Sequence, residues 1–232
     1  MPPSKKKPPA ACASCTVARG ERICITEKGQ AGSGCPTLTR NDTVARANQE
    51  YAKGPVREFA RQASIQEAEC YANRHQRPYI MQPCKPRIVE IGEFARKMGY
   101  KKLGLAFCIG LSEEARLVEE VFRAWYFDVV SVVCKAGRTP KSLLGLTSEE
   151  TIRQDAEEAM CNPVLQARVL NEEATDLNVL LGLCVGHDSL FFRYAEAPTT
   201  VLAAKDRVTG HNPLAAVYLS ESYYTRVRHP GL

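Results

Sequence analysis

The pattern of apolar positions in the C-terminal two thirds of the chain changes repeatedly between a helical spacing and short unbroken runs. Ile91, Ala95 and Met98 recur every three or four residues, which predicts one face of a helix that Gly99 ends. Runs that are apolar almost without interruption predict parallel strands buried on both faces, at residues 103–108, 127–134, 177–184 and 199–204. Strands that alternate with helices predict an α/β fold, with an open parallel sheet of about four or more strands and helices on both faces, as in Rossmann-like domains.

Polar residues at the boundaries of these runs predict where the helices begin. Ser112, followed by Glu113 and Glu114, predicts the N-cap of the helix before the second strand. Thr147 and Glu150 form a capping-box pair, which predicts a helix that extends to about residue 160. Further helices are predicted from the Asn-Pro pair at 162–163, over residues 187–195, and from the second Asn-Pro pair at 212–213 to residue 219.

The first 85 residues divide into three segments of different composition. Residues 1–11 combine four prolines with three lysines, which predicts a disordered basic tail. Residues 12–40 are rich in cysteine, glycine and small polar residues, which predicts a loop-like segment that a bound metal would order. Residues 41–85 have helical character, with helices predicted at 42–52 and 55–73, and are expected to pack on the α/β domain of residues 86–232.

Composition and charge narrow the classes of function. No stretch is apolar for long enough to cross a membrane, and no apolar run follows the basic N-terminus as in a signal peptide, so a cytoplasmic protein is expected. A net charge of +5, without a basic stripe that carries interleaved aromatic residues, argues against nucleic-acid binding. The chain lacks the glycine-rich motifs of nucleotide-binding proteins and the nucleophile motif of serine hydrolases.

Ten cysteines are the strongest chemical signal in the sequence, because thiols in a reducing compartment point to metal binding more than to disulfides. Cys108, Cys134 and Cys184 each end a predicted strand, and Cys161 stands just before a predicted helix. Since the carboxyl ends of parallel strands share one edge of the sheet, we expect these four sulfurs to line a cofactor site there. The alternative for each is a small buried hydrophobic residue.

Charged and polar residues follow the same strand ends. His187 and Asp188 come directly after Cys184, while Lys205 and Arg207 come after the fourth strand. We expect these four residues to be catalytic, handling protons and substrate charge at the sheet edge. The alternatives are that Asp188 caps the helix that begins there, and that Lys205 and Arg207 belong to a solvated loop.

The N-terminal segment offers a second set of metal ligands. It contains Cys12, Cys15, Cys24 and Cys35, and Cys35-Pro36 is similar to the Cys-Pro ending of ferredoxin cluster motifs. Four thiolates can hold either a second iron-sulfur cluster or a structural zinc ion, and the spacing does not separate the two. Cys70 and Cys84 fit no ligand pattern and are interpreted as structural or spare thiols.

Four longer stretches of the sequence resemble a known family. They are GYKKLGLAFCIGL (residues 99–111), AMCNP (159–163), GLCVGHDSLF (182–191) and KDRVTGHNPLAA (205–216). On these stretches the chain resembles, from about residue 12 to residue 224, the domain of unknown function numbered 1847, described as a predicted metal-binding protein of prokaryotic anaerobes. The resemblance implies metal binding without a metal or a reaction. The family has a denser cysteine cluster after the second strand, where this chain has only Cys134.

These observations lead to one main hypothesis and two alternatives. The main hypothesis is an iron-sulfur protein with a cubane (4Fe-4S) cluster at the sheet edge and a second metal centre in the N-terminal segment. It would act in electron transfer with a redox partner protein, or in cluster-based chemistry on a small molecule, with sulfur chemistry as one candidate. The alternatives are a non-enzymatic zinc-binding or metallochaperone module and a sulfurtransferase with a persulfide on Cys184. The oligomeric state is not predicted.

Overall fold

The computed structural model describes residues 8–229 and 231. The chain divides into two compact units, Met1–Ile65 and Gln66–Leu232, and each is described by itself. The disordered tail predicted for residues 1–11 lies for the most part outside the described residues, and residues 8–11 have neither helix nor strand. No helix in the described part of the chain is both long and apolar enough to span a membrane.

The first unit holds the cysteine-rich segment. Two single turns of 3-10 helix, Cys12–Ser14 and Arg19–Glu21, lead to a parallel bridge between Arg22 and Gln30. Three helices follow, α1 (Pro36–Thr39), α2 (Asn41–Glu50) and α3 (Gly54–Glu69), the last of which contains the boundary between the two units. Helices α2 and α3 occupy the region predicted to be helical, and α3 ends four residues before residue 73.

The second unit is a four-stranded parallel sheet with helices between the strands. Its elements in chain order are α4 (Arg87–Lys97), β1 (Lys102–Phe107), α5 (Ser112–Ala124), β2 (Asp128–Val133), α6 (Pro163–Glu172), β3 (Leu177–Leu181), α7 (His187–Tyr194), β4 (Thr199–Ala203) and α8 (Leu214–Tyr218). Short 3-10 turns lie at Ile109–Leu111, Lys141–Leu144, Ser148–Glu150 and Thr225–Arg228. All pairs of neighbouring strands are parallel, which confirms the predicted α/β fold.

Helices cover both faces of this sheet. On one face, Leu105 and Val179 pack with side chains of α4 and α5, among them Phe122. On the other face, Leu180 packs with side chains of α6 and α7, among them Phe191. The central strands β1 and β3 are buried almost throughout, as their unbroken apolar runs predicted, whereas the outer strands β2 and β4 are only partly buried.

Two helices differ from the prediction, one in where it ends and one in where it starts. The capping box of Thr147 and Glu150 forms, but the helix ends after one 3-10 turn instead of reaching residue 160, because the following residues present no apolar stripe and Ile152 is 86% exposed. Ser112 is the first residue of α5 and not its N-cap, which is Leu111, and the Ser112 hydroxyl donates to the carbonyl of Ile109 at 2.7 Å.

The strand order β2-β1-β3-β4 determines where the sheet can bind a ligand. From β1 the chain passes outward to β2 and then returns to form β3 on the other side of β1. The loops that leave β1 and β3 therefore separate in opposite directions and open a crevice between their carboxyl ends, which is the usual ligand site of such sheets. Cys108 follows β1 and Cys184 lies three residues after β3, so both stand at this crevice.

Candidate functional site

Cys108 and Cys134 occupy neighbouring positions just after β1 and β2. The strands pair Phe107 with Val133, and the next residues stay in step, since the Cys134 amide donates to the Phe107 carbonyl at 2.9 Å. Both side chains belong to the face covered by α6 and α7, and only 8% of Cys108 and 2% of Cys134 is exposed. The sheet itself therefore places the two thiols side by side.

The start of α6 brings Cys161 to the same place. The Asn162 amide donates to the Cys134 carbonyl at 2.8 Å, and the Asn162 side chain caps α6 by accepting from the Leu165 amide at 2.9 Å. The Cys134 thiol lies close enough to the sulfurs of both Cys108 and Cys161 to change the ionisation of all three. Three of the four cysteines predicted to hold a cofactor thus meet at the strand-end edge, and we call Cys108, Cys134 and Cys161 the strand-end thiols.

The strand-end thiols share their protons unequally. The hydrogen bond from Cys134, helped by the Gly110 amide and the Lys205 ammonium, lowers the pKa of Cys108 to about 5. The same donor, with the positive charges of Lys135 and His187, lowers the pKa of Cys161 to about 6. The pKa of Cys134 is raised, because its proton is shared with two thiolates. The group therefore favours the thiolate form at Cys108 and Cys161 and the thiol form at Cys134.

Lys205, one of the four predicted catalytic residues, lies against these sulfurs. Its ammonium group is hydrogen-bonded to the Cys108 sulfur, and its stem packs beside Gly182 in the loop after β3. Gly182 has a φ of +65°, and a β-carbon there would lie 2.1 Å from the Leu111 side chain. Glycine at this position allows the loop that follows β3 to pass close to the loop that follows β1.

Cys184 and Arg207 form a separate contact at the same edge. The Arg207 guanidinium donates to the Cys184 sulfur at 3.1 Å. The Cys184 carbonyl accepts from the amides of His187 and Asp188 in the first turn of α7, whose N-cap is Gly186 with a φ of +83°. Cys184 thus stands before a helix N-terminus with a cation on its sulfur.

The other two predicted catalytic residues have different surroundings. The Nδ1 atom of His187 is buried and has no hydrogen-bond partner among the described residues, and the ring lies close enough to Cys161 to affect its ionisation. Asp188 accepts from the Ser189 amide at 2.7 Å. A buried ring nitrogen without a partner is available to a ligand, whereas one oxygen of the Asp188 carboxylate is already bound to its own turn.

Gln166, which our sequence reasoning missed, supports the strand-end thiols from α6. Its side chain is fully buried and donates to the carbonyls of Val132 at 2.7 Å and Phe107 at 3.2 Å, close to Cys134 and Cys108 in the chain. In the sequence it stands three residues after Pro163 and four before Leu170, on the apolar face of the helix. The sequence signal that identifies Gln166 is its polar side chain within the apolar stripe of the helix.

The four N-terminal cysteines line a single cavity within the first unit. The cavity has a volume of about 120 Å³, and its wall includes Cys12, Cys15, Cys24 and Cys35. The Cys15 sulfur lies 3.2 Å from the position that a β-carbon would take at residue 32, so a side chain there would enter the space of this thiol. Hydrogen bonds from the Thr37 side chain and amide lower the pKa of Cys35.

Neither cysteine group has the arrangement of a finished metal site. Within residues 8–229 and 231, no group of three or more His, Cys, Asp or Glu side chains is placed so that it could hold a metal ion. All ten cysteines are free thiols. In chemical terms the donor sets suit soft metals, because each is composed of thiols and thiolates.

Comparisons with known proteins place the chain in a family. Residues 35–202 match the family model described as Protein of unknown function (DUF1847). The chain is also similar to the uncharacterized protein MJ0455 of Methanocaldococcus jannaschii, with 37% identity over 215 residues, which cover 93% of this chain and 96% of that protein. The match contains the strand-end thiols and Cys184, while Cys12, Cys15 and Cys24 precede the matched residues. The chain therefore belongs to the DUF1847 family, as the four sequence stretches predicted.

Proposed function

We propose that this protein binds iron-sulfur clusters and acts in electron transfer or in cluster-based chemistry on a small molecule, with a sulfur-containing molecule as one candidate. The observation that carries the proposal is the meeting of three sulfurs from distant parts of the chain at the carboxyl ends of the neighbouring strands β1 and β2. Thiolates are the ligands that iron-sulfur clusters require, and Cys108 and Cys161 have lowered pKa values.

The residues at the sheet edge fit such a cluster in their chemistry. Cys108, Cys134 and Cys161 would bind it, with Cys184 as the fourth ligand. The cationic side chains of Lys205 and Arg207, which already contact two of the sulfurs, would offset the negative charge of the thiolates. Because the side chains are not in a metal-holding arrangement, binding requires their sulfurs to turn toward a common centre.

The cavity of the first unit supports a second centre. A water molecule occupies about 30 Å³ in the liquid, so a cavity of about 120 Å³ has room for a polyatomic group among its four cysteines. We assign this centre to a second cluster held by Cys12, Cys15, Cys24 and Cys35. A zinc ion is the competing occupant, since four thiolates also suit a structural zinc site.

The predicted catalytic residues would act around the cluster at the sheet edge. A cluster supplies electrons, or a Lewis-acidic iron where one iron lacks a cysteine ligand. Lys205 and Arg207 would orient an anionic substrate, and His187, whose Nδ1 atom is buried and unpartnered, would hold or move a proton. Asp188 would orient polar groups through the oxygen that does not bind Ser189.

One observation favours a second function. Arg207 contacts the sulfur of Cys184 ahead of the first turn of α7, and these two features would stabilise negative charge that develops on the sulfur as it reacts. Under this alternative, Cys184 carries a persulfide in a sulfurtransferase, and the fastest alkylation of the metal-free protein, followed peptide by peptide, would be lost in Cys184→Ala and kept in Cys108→Ala.

The same thiol chemistry indicates a cellular compartment and a class of partner. We assign it to the cytoplasm, since ten free thiols suit a reducing compartment. Its partners would be a redox protein or a small-molecule substrate, without nucleic acid and without membrane attachment.

Anaerobic purification followed by measurement of iron, acid-labile sulfide and zinc tests the proposal. We expect iron and sulfide in similar amounts, a reducible electron paramagnetic resonance signal, and loss of roughly half of the iron in Cys161→Ser and of the other half in Cys12→Ser/Cys15→Ser. The matched control is Cys84→Ser, which keeps all the iron because this cysteine belongs to neither group. Zinc without sulfide in the wild type overturns the proposal in favour of the zinc-binding module.

A further inference from the structure

Cys70 and Cys84 stand opposite each other in a short antiparallel pairing of the second unit. Tyr71 bridges to Pro83, the Ala72 amide donates to the Gln82 carbonyl at 2.9 Å, and the Cys84 amide donates to the Cys70 carbonyl at 2.9 Å. This pattern makes residues 70 and 84 a directly opposed pair on one face of the ribbon.

Both sulfurs lie near the C-terminal end of α3. The Cys70 sulfur donates to the Gln66 carbonyl at 3.1 Å. The Cys84 sulfur lies 3.3 Å from the Cys70 carbonyl oxygen and 3.8 Å from that of Glu69. Opposed residues in a hydrogen-bonded antiparallel pair have Cα atoms about 5.5 Å apart, which falls within the range of about 4.4–6.8 Å that disulfides span.

We infer that Cys70 and Cys84 form a redox-active dithiol that closes to a disulfide when it meets a small-molecule disulfide such as glutathione disulfide. The pair is independent of the strand-end thiols, of Cys184 and of the N-terminal cavity. In the reduced state both are free thiols, with Cys84 exposed and Cys70 partly buried.

Exposure sets the order of the two steps. The Cys84 thiol loses its proton and attacks one sulfur of the small disulfide, which forms a mixed disulfide and releases one small thiolate that takes up this proton. Cys70 then loses its proton and attacks the Cys84 sulfur, and the second small thiol leaves with that proton. Burial raises the pKa of Cys70, which suits it to the second step. Two protein thiols become one disulfide, and one small disulfide becomes two thiols.

The bond would join the two ends of the loop formed by residues 71–83. This loop exposes 80% of Ile80 and 64% of Met81 on the arm that returns to Pro83. Closing the loop at its base would restrict how far these apolar side chains move from the rest of the unit.

The test uses the full-length protein, purified without oxygen and incubated at different ratios of reduced to oxidised glutathione. After acid quenching and alkylation, trypsin produces the peptides 62–74 and 75–87, because the bonds before Pro78 and Pro86 resist cleavage. Mass spectrometry of the unreduced digest should show these two peptides joined, with a fraction that follows a single two-electron transition.

Variants separate the disulfide from unspecific oxidation. Cys70→Ser should lose the joined peptide and retain glutathione on Cys84, and Cys84→Ser should lose both products. Cys161→Ser should keep the joined peptide at the wild-type midpoint. The inference fails if wild-type Cys70 and Cys84 carry glutathione separately, or if both remain alkylated thiols at ratios that oxidise other cysteines of the same chain.

Discussion

The two cysteine groups differ in what holds them in place. The four N-terminal cysteines lie on loops and single helical turns, and Gly34 is the one buried residue among residues 8–65. The strand-end thiols lie instead on a sheet whose central strands are almost fully buried and whose two faces are covered by helices. The N-terminal cysteines have almost no hydrophobic core around them, whereas the strand-end thiols lie on the sheet that contains most of the hydrophobic core.

The difference indicates what a bound metal would contribute in each place. A segment without a core can gain its order from metal binding, whose free energy then becomes folding free energy. A scaffold that is already folded by apolar burial has its ligands arranged in advance, and binding there changes reactivity more than fold. Removal of metal and substitution of single residues test this contrast.

Removing metal should affect the two units very differently. When a strong chelator is added to the anaerobically purified protein, we expect the first unit to lose its order while the sheet remains folded. Limited trypsin digestion, with fragments identified by mass spectrometry, should then show rapid cleavage at Arg19, Arg22 and Lys28, and slow cleavage at Lys102 in β1 and Arg168 in α6.

Two variants make this result specific. Cys12→Ser/Cys15→Ser should show the same rapid cleavage without chelator, whereas Cys84→Ser should behave as the wild type does. If the sheet becomes protease-sensitive before the N-terminal segment does, the assignment of a structural role to the N-terminal cysteines is wrong.

Alkylation of the metal-free protein should show that the strand-end thiols are prepared for reaction. The pKa of about 6 for Cys161 predicts that its modification by iodoacetamide is half-maximal near that pH. Since this folded-state pKa lies below the ordinary value of 9.0, the thiolate stabilises the fold above it. That contribution, and the similar one of Cys108, is therefore lost as the pH falls through about 6 and about 5.

The variant Cys134→Ala identifies the cause of this reactivity. It removes the hydrogen bond that is the largest influence on both neighbouring thiolates. The pH midpoint for alkylation of Cys161 should move upward toward the ordinary thiol value, as measured by mass spectrometry of the modified peptide. An unchanged midpoint would assign the shift to Lys135 and His187 instead.

Much of the fold could be predicted from the sequence, because local patterns determine it. The central strands appear as unbroken apolar runs, and the Asn-Pro pair at 162–163 marks the start of α6 as observed. The prediction of a long helix after Thr147 was wrong, because a capping box predicts where a helix starts but not whether apolar contacts bury its later turns. The strand order depends on contacts across the whole domain, and no local signal reported it.

The candidate site was predictable in its cysteines and less so in its partners. Parallel topology alone predicted that Cys108 and Cys134 would share one edge of the sheet, whereas their side-by-side position depends on β1 and β2 being neighbours. The contacts of Lys205 with Cys108 and of Arg207 with Cys184 could not be read from the sequence, because they depend on how the loop after β4 folds back. The support that Gln166 gives to two strand carbonyls is likewise a long-range contact.

Two glycines test how strongly the scaffold fixes the edge. Gly182→Ala would meet both a φ of +65° and a contact of 2.1 Å with Leu111, so we expect a destabilisation of about 2–4 kcal/mol in urea unfolding. Gly186→Ala has a φ of +83° with no atom within 4 Å, and should lose only about 1–2 kcal/mol. Equal losses would show that the loop after β3 does not depend on its close approach to Leu111.

Replacing Gln166 leaves every sulfur in place and should change stability and thiol reactivity only mildly. Gln166→Leu keeps the size of the side chain and removes the donor to the carbonyls of Val132 and Phe107. We expect a loss of about 1–3 kcal/mol in urea unfolding, because the carbonyl of Val132 loses a buried partner, and a slight broadening of the pH profile for Cys161 alkylation. The matched control is Gln154→Leu at an exposed loop position, which should change neither quantity. If Gln166→Leu proves as stable as the wild type, the buried amide, whose own oxygen has no partner among residues 8–229 and 231, does not stabilise the edge, and the strand-end thiols depend on the sheet alone.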